Sequence, residues 1–206
     1  MSGILLFFVF LLGATLLGMI WTMATYNTLV ASKENTKSLA LQCLSALKQR
    51  VEALAPVADA AQAVLKQDRE KVDALLSVRA QALAAIAGLE SAPDKPEAFQ
   101  QTIAAEQLLN AAWPRLTAQL EKLPAWTGNA RAMQLFADFS QTEPLFHSSR
   151  DAYNGAAASY NALRREFPAF VIAGVLGLSE APLFELSAAP QPTVATTTPP
   201  RFSASA

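Results

Sequence analysis

Tyr153-Asn154-Gly155-Ala156-Ala157-Ala158-Ser159-Tyr160-Asn161-Ala162-Leu163-Arg164-Arg165-Glu166-Phe167-Pro168 places three aromatic rings at intervals of seven, each followed by asparagine or proline. Seven residues make about two helical turns, so the rings are expected on one side of a single helix, with Ala157 and Arg164 completing a stripe at steps of four and three. Such a stripe has to bury itself, because aromatic side chains dominate core and interface energetics. Asn154 and Asn161 flank the rings at the same spacing, where each can hydrogen-bond a neighbouring helix and fix its register. Tyr153, Asn154, Tyr160, Asn161, Phe167 and Pro168 therefore form a candidate structural or interaction seam. An internal core seam is the favoured reading and a partner-facing surface the alternative.

Outward from this stretch, composition bounds the rest. A chain of 206 residues is ample for a sizeable core. Only 16% of it is charged, well below the usual quarter, and its apolar excess lies at the amino end, which points to a membrane segment. A net charge of −1 argues against a basic nucleic-acid surface. The single cysteine, Cys43, can form no intrachain disulfide. The single histidine, His147, has no histidine or cysteine at helical spacing with which to share a metal.

From Ile4 to Met23 every residue is apolar or small, and no charged side chain precedes Lys33. Roughly twenty residues rising about 1.5 Å each span a hydrocarbon core of about 30 Å. A transmembrane anchor over 1–25 is expected. A cleaved signal peptide competes with it, but there is no basic residue ahead of the run, the run is long and no A-x-A site follows. Trp21 and Tyr26 suit the headgroup zone. Lys33, Lys37, Lys48 and Arg50, against Glu34 alone, favour an outside amino terminus and a cytoplasmic body. Ala14 and Gly18 form a small-xxx-small pair, read here as ordinary lipid-facing residues.

Beyond the anchor the pattern stays helical. Ala40, Cys43, Leu47, Val51 and Leu54 predict a continuing helix that Pro56 kinks or ends. A second run passes through Ala61, Leu65, Asp68, Val72, Leu75, Ala82, Ile86 and Leu89, and stops near Gly88 and Ser91 to Pro96. The third places Phe99, Ile103, Glu106, Leu109, Trp113, Leu116, Leu120 and Leu123 on one stripe, with Glu106 its polar interruption and Pro114 expected to kink or split it. After breaks at Leu123-Pro124 and Thr127-Gly128-Asn129, the last helix runs from about Ala130 to Glu166 with a bend at Pro144. The fold class is all-α: a transmembrane helix continuing into an antiparallel bundle of about four long helices over 26–187. Phe170 to Leu178 is too short to cross a bilayer, and reads as an apolar cap on the bundle, or alternatively as a return to the membrane surface or a partner's groove. Residues 188–206, rich in Pro, Thr, Ser and Ala, are expected to be disordered.

No catalytic constellation emerges. Histidine-assisted nucleophilic catalysis would rest on His147 alone, and Cys43 falls on a core stripe. No G-x-G-x-x-G follows a strand, no phosphate loop ends in Gly-Lys-Ser or Gly-Lys-Thr, and the E-x-x-H pairs of a di-metal bundle are missing. Glu180 and Glu185 read as rim charges, and Arg164-Arg165 is only a pair. No catalytic, cofactor or metal residue is expected, nor a nucleic-acid partner or small-molecule substrate.

Thr142-Glu143, Arg150, Tyr153-Asn154, Tyr160-Asn161, Phe167-Pro168, Ala173, Gly177 and Phe184-Glu185, in that order and spacing, resemble the LemA family of bacterial single-pass membrane proteins. Tyr26-Asn27-Thr28-Leu29-Val30 is similar to the family's second signature, and Leu123-Pro124 with Trp126 to a weaker tyrosine-proline element. The chain departs from the pattern at Gln49-Arg50-Val51-Glu52-Ala53-Leu54-Ala55-Pro56, at Leu178 and at Arg164. The resemblance implies a long-helix bundle tethered to the plasma membrane, without known catalytic activity. A non-enzymatic scaffold that associates with itself or a protein partner is the leading expectation. A regulator of a membrane-bound enzyme such as an envelope-stress peptidase, and lipid or small-ligand binding in the bundle core, are the alternatives.

Overall fold

The structure, a computed structural model, describes residues 2–65, 69–93 and 95–184. Among them are helices, turns and extended connectors and no strand. The expected positions Asp68, Glu185 and the 188–206 tail lie outside the described residues.

Helix α1, Ser2–Val64, has 63 residues and is about 95 Å long. Its first part is exposed along Ile4 to Met23, and with a mean hydropathy of 2.6 it is long and apolar enough to cross a membrane. Burial begins at Leu29 and then recurs every seven residues through Thr36, Cys43, Arg50 and Val57, with Leu47, Leu54 and Ala61 beside them. Helix α5, Ala130–Arg165, carries the matching row: Ala132, Phe139, Phe146, Tyr153 and Tyr160. Two buried rows of period seven bring α1 and α5 together as an antiparallel pair along most of their shared length. Leu29 sits under Tyr160 at the end next to the apolar part of α1, and Arg50 reaches Glu143 further along.

Helices α2, Arg69–Ser91, and α3, Pro96–Leu120, complete the bundle. Val72, Leu75, Ala82, Ile86 and Leu89 of α2 pack into the same core as Phe99, Ile103, Leu109, Leu116 and Leu120 of α3. Thr102 donates to the Ala85 carbonyl across that pair at 3.3 Å, and Lys48 of α1 meets Glu90 of α2 at 3.1 Å. The one-turn α4, Pro124–Thr127, buries Trp126 and leads to Asn129, which caps α5 by accepting from the Arg131 and Ala132 amides. The bundle of four long antiparallel helices expected from periodicity is present.

At two prolines the helix continues where an end or a split was one of the expectations: α1 runs on through Pro56 and α3 through Pro114, while α5 runs through Pro144 as expected. All three prolines lie on exposed positions, and the carbonyls they leave unbonded, at Glu52, Asn110 and Ser140, belong to exposed or half-buried residues. Around Pro56 the buried Val51, Leu54, Val57 and Ala58 hold the helix against its neighbours, so packing outweighs one lost hydrogen bond. The first bundle helix consequently continues to Val64, and Ala61 belongs to it rather than to the second.

Pro56→Ala should therefore stabilise the bundle by about 1–3 kcal/mol, since it restores the bond to Glu52 on an unencumbered face. Denaturant unfolding of both proteins checks this, and an unchanged or lowered midpoint would contradict it.

Candidate functional site

The seam is built where α5 ends. Arg165 is its last residue, and Pro168 stands at the amino end of a short helix, α6, Ala169–Val175. Gly177, at a φ of 61°, lets α6 close, with the Leu178 amide reaching the Ala173 carbonyl at 2.9 Å. The chain then runs extended from 178 to 184, back along α5.

Residues of α5 hold this segment by its backbone. Asn161 donates from Nδ2 to the Ala181 carbonyl at 2.8 Å and accepts the Ala181 amide on Oδ1 at 2.9 Å. Asn154 does the same to Phe184, at 3.1 and 2.8 Å. Tyr160 donates to the Ser179 carbonyl at 3.1 Å and Tyr153 to the Pro182 carbonyl. Arg164 donates to the Leu178 carbonyl at 2.8 Å. The register has a simple metric basis. Seven helical residues advance about 10.5 Å and three extended residues about 10 Å, so side chains seven apart on α5 meet backbone three apart on the segment. Burial pushes the Tyr153 phenol up to about 12 and raises that of Tyr160, which keeps both hydroxyls protonated as donors.

The segment ends in the core. Phe184 is buried, its ring 5.6 Å from Phe99 and 6.0 Å from Phe146. Tyr153 also lies 5.9 Å from Phe99. At the other end Glu180 pairs with both Arg164 and Arg165 at 2.9 Å, and these bonds hold its carboxyl below the usual range.

Two expectations about the seam are thereby corrected. Asn154 and Asn161 bond an extended stretch of their own chain rather than a neighbouring helix, because only extended backbone offers a free amide and carbonyl on one residue. Phe167 does not join Tyr153 and Tyr160. It lies beyond the end of α5, is 74% exposed, and stacks edge-on against Trp21 of α1 at 5.7 Å, while the half-buried Pro168 starts α6. The Phe170 to Leu178 stretch packs on one end of the bundle, against α1 and α5. It packs beside α1 in a separate cluster of Leu29, Tyr160, Ala169 and Ala173, so the Tyr26 to Val30 signature meets the Tyr160-Asn161 signature there.

A second polar cluster lies inside the bundle. Arg50, 2% exposed, donates to Glu106 through Nη1, to Asn110 through Nη2 at 2.9 Å and to Glu143 through Nε at 2.9 Å, between the faces of Phe139 and Phe146. Burial pushes the Glu106 carboxyl up to about 7. Arg50 pulls it down, but Glu143 competes for the same guanidinium and pushes it up again. Glu106 Oε2 is buried without a partner among the described residues. Glu106 was visible in sequence as a break in an apolar stripe; Arg50 was masked as one of several flanking charges. His147 stands half-exposed 3.5 Å from Glu143, and Cys43 is buried. No cluster of metal-ligating residues occurs among the described residues.

In comparison with known proteins, the sequence model of the LemA family matches residues 40–196, which includes α5, α6 and the segment they hold. No curated protein matches the chain.

Replacing Asn154 and Asn161 together by alanine should free the segment while leaving the helices folded: amide exchange at Ala181 and Phe184 should quicken by about tenfold or more, as loss of bonds contributing about 1 kcal/mol each would do. Unchanged protection there would refute the clamp. Glu106, whose folded value of about 7 lies above the ordinary 4.5, holds a proton that the unfolded chain has released between those values. Its contribution is fully present below about 4.5 and is lost as pH rises to about 7. The fall in melting temperature from pH 5 to pH 8 should therefore be smaller in Glu106→Gln than in the native protein, as calorimetry can read.

Proposed function

Because the chain belongs to the LemA family, we propose that it is a non-enzymatic, membrane-anchored helical bundle acting as an interaction or assembly scaffold. One observation carries this reading. Tyr153, Asn154, Tyr160 and Asn161 all commit their polar atoms to the chain's own backbone, so the most conspicuous polar row of the sequence braces the fold. Contacts with other molecules then fall to the outer faces of the bundle, where Leu108, Met133 and Leu145 are exposed. The partner is a protein or a second copy of the chain, met by helix-to-helix packing. In this reading α1 sits in the bacterial plasma membrane with its amino terminus outside and the bundle in the cytoplasm, which the excess of Lys33, Lys37 and Lys48 over Glu34 supports.

A photo-crosslinking residue placed in cells at 108, 133 or 145 should yield an adduct of discrete mass. A turnover that survives purification, and disappears on mutating one defined polar cluster, would overturn the scaffold reading. In intact spheroplasts Arg69 should be protected from trypsin, and cleavage there without lysis would reverse the orientation.

A further inference from the structure

The exposed apolar surface at the membrane-proximal end lies on two elements side by side. On α6, Phe170 is 66%, Val171 52% and Val175 82% exposed, and the helix carries no polar side chain. Between it and α1 runs an open groove of about 800 Å³, lined from Thr15 to Met23 on one side and by Val171, Ile172 and Val175 on the other.

The level of this groove is set by the anchor. Met23 closes the apolar run, and Thr15 lies eight residues deeper, about 12 Å along the axis. One leaflet contributes about half of a 30 Å hydrocarbon core. Whatever surrounds the anchor from Thr15 to Tyr26 therefore surrounds α6 as well, and for a spanning helix that runs from the acyl region of the body-side leaflet, at Thr15, to its headgroup boundary, at Trp21 and Tyr26. Two further features suit hydrocarbon. The backbone of α6 is satisfied internally at its ends: Phe170 donates to Glu166, Val171 to Pro168, Leu176 to Ile172 and Leu178 to Ala173. The charges flank the hairpin, with Arg164, Arg165 and the exposed Glu166 on the way in and Glu180 on the way out, Glu180 pairing with both arginines across its neck.

We infer that α6 is a re-entrant hairpin buried in the body-side leaflet beside the transmembrane helix, with phospholipid acyl chains filling the groove between them. The inference rests on α1 spanning the membrane, and the α6 hairpin joins the bundle to the bilayer at a second point. Phe167 against Trp21 fixes its approach to the anchor, and Leu29 beneath Tyr160, Ala169 and Ala173 holds its base.

The test uses the full chain reconstituted in phosphatidylcholine–phosphatidylglycerol vesicles. Single cysteines are placed at Val175, at Leu17 on the anchor and at Ser148 on the exposed face of α5, each labelled with an environment-sensitive fluorophore. The native Cys43 is buried and its thiol pushed up to about 12 by that burial, so it contributes little labelling. Lipids carrying a nitroxide on the acyl chain should quench positions 175 and 17 to similar extents, each severalfold more than 148. Quenching at 17 with none at 175 overturns the hairpin while sparing the anchor. Quenching at neither overturns both. Disulfide crosslinking between copies through Val175→Cys, with no quenching there, overturns the lipid assignment in favour of a second copy of the chain.

Discussion

Two turns of α-helix and three residues of extended chain cover nearly the same distance, and the carboxyl-terminal part of this protein depends on that match. Because of it, one asparagine can serve both backbone groups of Ala181 while a second, seven residues earlier, serves both groups of Phe184. An extended strand beside a helix ordinarily leaves its amides and carbonyls facing water or nothing. Here Asn154, Asn161, Tyr153, Tyr160 and Arg164 satisfy them, which permits the chain to return along α5 and to deliver Phe184 into the core. Pro182 lies where only a carbonyl is engaged, so its missing amide costs nothing.

The same period of seven organises α1 and α5. Their buried rows begin at Leu29 and Tyr160 and run in opposite directions, so one seam serves the contact with α6, the clamp on the extended segment and the bundle core in turn. Arg50 occupies a position in that seam where an apolar residue would pack more simply. Its guanidinium, held by Glu106, Asn110 and Glu143 between two aromatic faces, removes the freedom to slide by one heptad, since any other register would bury a charge without partners. The proton affinity of Glu106 follows first from its burial and then from sharing the one cation with Glu143.

At the end of the bundle next to the long apolar run of α1 the polarity inverts. The seam is internal, whereas α6 and the first part of α1 turn their apolar surfaces outward at a common level. Between these regimes lie Trp21, Tyr26 and Phe167, with Arg164, Arg165 and Glu180 on the bundle side. Such a boundary places the bundle close against the anchor's end rather than on a flexible stalk, because α1 is continuous across it.

Helical periodicity, the long uncharged run and the turn residues at 91–96 and 123–129 determined the fold class, the long apolar helix and the antiparallel order of the bundle, because these depend on spacing along one chain. The row of seven was legible too, although it extends back through Phe146 and Phe139 to Ala132, and stops at Tyr160 rather than Phe167. At Pro56 and Pro114 the local rule left a break open, and burial around Val57 and Leu116 holds the helices through them. What only the tertiary structure decided is what the polar residues touch. Nothing in the spacing of Asn154 and Asn161 distinguishes a helix from an extended segment as their partner, and nothing near Arg50 announces Glu106, fifty-six residues away. Partnership across the fold depends on which surfaces packing brings within hydrogen-bond reach, and that is a property of the assembled chain.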